Sequence, residues 1–255
     1  MERENLFSPE REKPRYPYIG VMGPPGVGKS TLVKIFEKDP NFCVFEEMVE
    51  QNPYVGDSYL APDGRKAFYS QVRFRELKIC QRAATKITWK EKIPFQDTPN
   101  RQDGMYALVA YEEGRMSSED YEKYQNHTPQ LESILPIPDL VIWLKVSPEV
   151  LDTRIINRGR GWEKAFTPYF RKRMIGLCQK EAEEYPGHVL ILDTDRIDYA
   201  HTEEGLDEAA RRIKRELVRL WGDNQGVGID GSRIILPSSL IEEVKSWGRL
   251  KDEDS

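Results

Sequence analysis

Residues Gly23, Pro24, Pro25, Gly26, Val27, Gly28, Lys29 and Ser30 fit the spacing G-x-x-x-x-G-K-[ST] of a phosphate-binding loop. Glycines at such positions let the backbone curl until successive N–H groups point inward at phosphate oxygens, and the positive end of the following helix adds to the field. Lys29 can reach the outer phosphates, the Ser30 hydroxyl can ligate Mg²⁺, and Thr31 continues the helix. The loop needs a strand before it and a helix after it. Tyr18-Ile19-Gly20-Val21-Met22 reads as that strand and Thr31-Leu32-Val33-Lys34-Ile35-Phe36 as that helix, so the chain is expected to bind the triphosphate of a nucleotide.

Three further clusters carry parts that phosphoryl transfer to a small hydroxyl requires. A strand ending in Glu46-Glu47 would project a carboxylate into the ligand crevice of an open α/β sheet, where it can accept a hydroxyl proton; the plain alternative is two solvated acids. Asp97 closes another strand and could hold Mg²⁺ directly or through water. Asp103 could hydrogen-bond an amino-bearing base, or simply satisfy the N-terminus of a helix, and Arg101 lies between the two. Arg154, Arg158 and Arg160 precede Glu163 along a helix end and loop, and guanidinium forks at this spacing can surround a transferring phosphoryl group. Glycines on either side of Arg160 suggest a mobile flap that closes over nucleotide and excludes water.

The elements that would position these groups alternate between short β-rich runs and longer helical patterns, the mark of a parallel sheet with crossover helices. Strands are expected at Tyr18–Met22, Cys43–Glu46, Ile93–Gln96, Leu140–Val146 and Val189–Leu192. Helices are expected over Lys66–Lys86, from a Ser117-Ser118 cap towards Leu135, after the Ser147-Pro148 cap through Asp152–Asn157, and over Leu206–Trp221. In the last, Leu206, Ala210, Ile213, Leu217 and Trp221 would pack inward. The organisation reads as one α/β domain over 15–221, a charged extension over 1–14, and a tail over 222–255 with a possible helix near Leu240–Trp247.

Charge and composition narrow the class. The chain of 255 residues has a formal net charge of −5 and a mean hydropathy of −0.66, which argues for a soluble protein and against a dedicated nucleic-acid binder despite local Arg/Lys clusters. No apolar run approaches the ~20 residues of a membrane span. Cys43, Cys80 and Cys178 fit neither a disulfide framework nor a zinc site, and with the acidic N-terminal stretch they lead to an expected cytoplasmic location.

In order and spacing, these pieces resemble the deoxyribonucleoside kinase family, in particular its bacterial deoxyadenosine and deoxyguanosine kinase branch. The resemblance runs from about Tyr18 to Thr194. It is carried by the phosphate loop, Glu47 before Asn52-Pro53, Phe68-Tyr69-Ser70-Gln71, Asp97 through Asp103, Gly114-Arg115-Met116-Ser117, Pro138 through Leu144, and Arg158-Gly159-Arg160-Gly161-Trp162-Glu163. It implies a P-loop kinase fold with a parallel sheet of about five strands and an arginine-bearing lid, using ATP and Mg²⁺. Glu47 would be the general base on a 5′-hydroxyl; Gln71 and Asp103 would read the base; Tyr59 and Glu163 would meet the sugar 3′-hydroxyl. Arg158 and Arg160 would grip the donor phosphates with Lys29, Ser30 and Asp97 would serve the metal, and the Asp193–Arg196 loop, including Asp195, would border the ATP adenine. A homodimer is also implied.

Two departures stand out. Asp97 is followed by Thr98-Pro99 where the family has an arginine that orients the base carboxylate, and Gly104 replaces a side chain that commonly supports the base-reading aspartate. Arg101 is a cation that could reach the vacated space. The expected reaction is transfer of the γ-phosphoryl of ATP to the 5′-hydroxyl of a deoxyribonucleoside, preferably a purine. One alternative is a thymidylate-type nucleoside monophosphate kinase, with Arg101 or Arg73 on the acceptor phosphate; another is a nucleotide-binding structural or regulatory protein that has lost catalysis.

Overall fold

The strand that feeds the phosphate loop, β1 (Ile19–Met22), lies at the centre of a five-stranded sheet and is buried along its whole length. The computed structural model describes residues 14–61, 64–99, 101–132, 135–199 and 202–252. With β2 (Phe42–Phe45), β3 (Ile93–Asp97), β4 (Leu140–Lys145) and β5 (His188–Asp193), the order is β2-β3-β1-β4-β5 and every pairing is parallel. The expected strands are all present, with no end shifted by more than one residue. Apolar runs such as Leu140–Leu144, buried on both faces, are what a sheet covered by helices on each side demands.

Parallel order brings all the strand C-termini to one edge, so the residues after β2, β3 and β1 emerge side by side. That edge carries Glu46-Glu47, Asp97 and the phosphate loop.

Nine α-helices are described: α1 (Lys29–Lys34), α2 (Asp57–Leu60), α3 (Gly64–Thr88), α4 (Arg101–Glu112), α5 (Ser118–Glu132), α6 (Pro148–Arg158), α7 (Pro168–Glu183), α8 (Glu203–Trp221) and α9 (Ser238–Asp252). The first is shorter than expected because its end tightens into i→i−3 bonds from Ile35 and Phe36. The Ser147 hydroxyl accepts the Val150 N–H and caps α6 with Pro148 in its first turn. Thr167-Pro168 repeats this device on α7, a helix absent from the sequence reading. The fifth helix ends at Glu132, and residues 133–134 of its expected course lie outside the described ones. On α8 the buried stripe runs through Ala209, Ile213, Leu217 and Trp221, so Leu206 and Ala210 border the core rather than fill it.

The expected charged extension, except Pro14, falls outside the described residues, as do 253–255. The rest of the tail is tied to the domain. Arg15 pairs by backbone with Arg233 and Ile235, and its guanidinium forks onto Asp139 at 2.7 and 2.9 Å and onto Asp230 at 2.8 and 3.1 Å. Lys214 of α8 bridges Asp39 and Glu243 of α9 at 2.6 and 2.8 Å. Residues that carried no functional signal thus clasp the chain's beginning to the start of β4.

Candidate active site

Gly26 and Gly28 have φ of 93° and 106°, and a Cβ at either would lie 2.7 Å from Ile155 or 2.8 Å from the Tyr199 hydroxyl. Only glycine meets both demands. The loop is pinned from three sides. Gln102, wholly buried on α4, accepts from the Gly23 N–H at 3.2 Å and donates to the Gly23 carbonyl at 2.7 Å. Tyr199 and Arg154 both donate to the Val27 carbonyl, at 3.0 and 3.2 Å, and Arg154 also donates to Thr194. Arg154 therefore braces the loop against the segment after β5. Lys29 curls back onto the carbonyls of Gly23 and Pro24, at 3.0 and 3.3 Å.

Below the loop, Ser30 Oγ donates to Asp97 at 2.6 Å, and Thr98 Oγ1 donates to the other Asp97 oxygen at 2.9 Å. Burial and the nearby Glu47 raise the Asp97 pKa, against the opposing pull of Lys29. A hydroxyl and a carboxylate side by side are hard oxygen donors of the kind Mg²⁺ takes, with room for phosphate oxygens and water to complete its shell. Among the described residues there is no cluster of three or more His, Cys, Asp or Glu side chains suited to a metal. Thr98 is buried with φ of 61°, a strained setting for a β-branched residue.

Next to this centre lies a small cleft, partly open to solvent, that Glu47 and Asp103 both line. Phe74, Tyr106, Trp162 and Phe166 wall it; Trp162 entered the sequence reading only as part of the Arg158–Glu163 motif, and Phe74 and Tyr106 carried no signal because aromatic residues at helical spacing look the same in a core. Tyr59 lines it and sets its ring edge-on to Phe166, with centroids 4.9 Å apart. Burial pushes the Tyr59 phenol far up, so it stays protonated and able to donate. Gln71 from α3 and Asp103 from α4 reach the cleft from its buried side, and Gln71 Oε1 and Asp103 Oδ2 are buried without a hydrogen-bond partner. Burial raises the Asp103 pKa to about 6, against the lowering effect of Lys78 on its other oxygen.

Of the two acids after β2, Glu47 lines the cleft with its side chain 18% exposed. Glu46 turns out to solvent and pairs with Lys34 at 3.4 Å. Asn52 is a buried brace whose amide donates to the Ser70 carbonyl at 3.0 Å, fixing the turn after Glu47 against α3.

Over the cleft, α6 ends at Gly159 with φ of 65°, and the chain continues as a 3-10 turn, Gly161–Ala165. Glu163 is buried within it and gathers the arginines: Arg158 donates to both its oxygens, and Arg160 lies 4.0 Å away. The Arg158 guanidinium is therefore held by Glu163, while Arg160 lies over the Trp162 ring and lines the cleft. The structure places Arg101 away from the cleft. It pairs with Glu181 on α7, faces the Tyr185 ring and does not line the cleft. Asp195 is engaged too, accepting the Ser147 N–H at 3.0 and 3.1 Å, while Asp193 lies 3.6 Å from Arg196 and 3.8 Å from Lys145. Lys78, unmarked in the sequence, is buried between Asp103 and Glu47.

A central β-strand ending in a phosphate loop, a hydroxyl–carboxylate pair beneath it and a substrate cleft alongside define a P-loop phosphotransferase. The chain belongs to the deoxynucleoside kinase family, whose model matches residues 19–219. It is 27% identical over 208 residues to a deoxyguanosine kinase of Bacillus subtilis, covering 79% of this chain and 98% of that protein. It is 31% identical over 176 residues to a deoxyadenosine/deoxycytidine kinase of the same organism, covering 63% and 78%. The fold matches a deoxyadenosine kinase from M. mycoides solved with bound dATP, with a TM-score of 0.65 at 21% identity over 78% of this chain and 99% of that one. Among the described residues no helix is long and apolar enough to cross a membrane.

Proposed function

We propose that the protein transfers the γ-phosphoryl of ATP to the 5′-hydroxyl of a purine deoxyribonucleoside. The observation that carries the reading is the pair of unsatisfied buried acceptors, Gln71 Oε1 and Asp103 Oδ2, in an aromatic cleft that also presents Glu47. Buried acceptors without donors are costly, and a base with an exocyclic amino group supplies the missing N–H. Phe74, Tyr106 and Phe166 offer it flat apolar surfaces.

With the base so placed, the sugar lies towards Tyr59 and Glu163, and Glu47 accepts the 5′-hydroxyl proton as the oxygen attacks. Lys29, leaving the carbonyls of Gly23 and Pro24, meets the outer phosphates. Arg158 and Arg160 neutralise developing charge once they exchange Glu163 for phosphate oxygens. Ser30 and Asp97 would hold Mg²⁺, which screens the phosphate charge when bound. Arg73 and Arg101, the cations suited to an acceptor phosphate, are committed elsewhere: Arg73 to Glu76 and the Gln51 carbonyl, Arg101 to Glu181. This favours a nucleoside acceptor over a monophosphate.

Glu47→Gln tests the role of the base. Turnover is expected to fall by roughly a hundredfold or more while ATP affinity stays within about twofold of wild type. Unchanged turnover would remove Glu47 from the mechanism.

A further inference from the structure

Three carboxylates lie on the edge of the sheet and the helix beside the cleft, Glu47 beyond β2, Asp97 at the end of β3 and Asp103 on α4, and the charge of Glu47 acts on both of the others. Asp97 and Asp103 are almost wholly buried. Burial and a neighbouring like charge push Asp97 and Asp103 towards protonation, and a general base among them must offer a free carboxylate to accept a proton. A cation is required among them. Thr98, next to Asp97, brings none, and Arg101 is turned to Glu181.

Lys78 meets the requirement. Its side chain is 2% exposed, with Nζ hydrogen-bonded to Asp103 Oδ1 and 3.4 Å from Glu47 Oε1. On α3, Gln71, Phe74 and Lys78 recur at i, i+3 and i+7, so one helix face carries a base contact, an aromatic wall and this ammonium. Three ammonium protons suffice for Asp103 and Glu47 together.

We infer that Lys78 is a positioning residue that pairs with the Glu47 carboxylate and keeps it aimed at the acceptor hydroxyl, a role that rests on the kinase reading above. The charged groups facing it are Asp103, Glu47 and Asp97; beyond these, Arg75 acts on Asp103 and Lys29 on Asp97. Burial works against its charge, but Asp103 and Glu47 more than compensate, so Lys78 is an ammonium throughout the working pH range.

The test is the pH profile of kcat for wild type, Lys78→Met and Lys78→Arg, with saturating ATP and deoxynucleoside. Loss of an opposite charge at this distance moves a carboxylate's titration by about 1–3 units. The acid limb of Lys78→Met is therefore expected 1–3 pH units higher, with kcat recovering at alkaline pH and the KM for ATP unchanged. Lys78→Arg should return the limb close to wild type. If Lys78→Met does not fold, Asp103→Asn is compared with Asp103→Asn/Lys78→Met, which leaves no unpaired buried carboxylate at position 103, and the same displacement is expected. An unmoved limb, or a loss that alkaline pH and arginine both fail to repair, overturns the inference while the kinase reading stands. A wild-type protein that phosphorylates no nucleoside overturns both.

Discussion

If Asp103 reads an amino group of the base, substrate affinity depends on its ionisation, because a protonated carboxyl loses acceptor capacity at the position the base must use. Burial raises this carboxyl to about 6, against the partial compensation of Lys78. Below that pH the folded protein holds Asp103 protonated, and above it ionised. With a midpoint near 6 the ionised fraction is about nine-tenths at pH 7 and about one-tenth at pH 5. If only the ionised form binds productively, the KM for a deoxynucleoside rises about tenfold between pH 7 and pH 5. The KM for ATP should stay flat, since the phosphate loop does not share the group. The assay is initial-rate kinetics across pH 5–8 with ATP saturating, repeated on Asp103→Asn, which should show a high KM with little pH dependence over this interval. A nucleoside KM independent of pH in the wild type, or a slope that survives in Asp103→Asn, would refute the assignment of this carboxylate to the base.

Two further outcomes follow from the packing. Arg15→Met leaves Asp139 buried with backbone donors but no cation, so unfolding should become easier by about 3–5 kcal/mol. At about 2–4 °C per kcal/mol for a chain of this size, the melting temperature drops by about 6–20 °C, and a drop below about 3 °C in a thermal melt would show the clasp to be dispensable. Gln102→Leu removes the two hydrogen bonds between Gln102 and Gly23, a loss of about 1–3 kcal/mol, leaving the Gly23 carbonyl only Lys29, and should raise the KM for ATP roughly tenfold while the nucleoside KM moves little. Equal effects on both substrates would instead mean that α4 has shifted as a whole.

What could be read from the sequence was local. The phosphate loop, the five strands and the Ser147-Pro148 cap depend on residues next to each other, and the structure has them where the pattern puts them. Thr167-Pro168 carries the same cap signature and would have revealed α7. Contacts set by tertiary packing were not legible. Arg101 stands between two site acids in the chain, yet its long side chain finds Glu181 on a helix far away in sequence. Conversely, α3 carries cations on several faces, among them Arg73, Arg75 and Lys78. Arg75 and Lys78 both turn inward, and spacing alone does not tell which of them meets Asp103 and Glu47; that is decided by how α3 crosses β3 and α4. Gln102 likewise looks like any helix-start residue until the fold places Gly23 against it. Arg158 and Arg160 stand out by motif, but the pairing of Arg158 with Glu163 depends on the shape of the Gly161–Ala165 turn.

The central claim is that the acceptor is a nucleoside hydroxyl. Its most direct test is product analysis with ATP and Mg²⁺ on the four deoxynucleosides and their four monophosphates, using Lys29→Ala as the blank. The account predicts 5′-monophosphate from deoxyadenosine or deoxyguanosine, less from thymidine, and no diphosphate from any monophosphate. Diphosphate formation without nucleoside turnover, or ATP binding with no product at all, would contradict it.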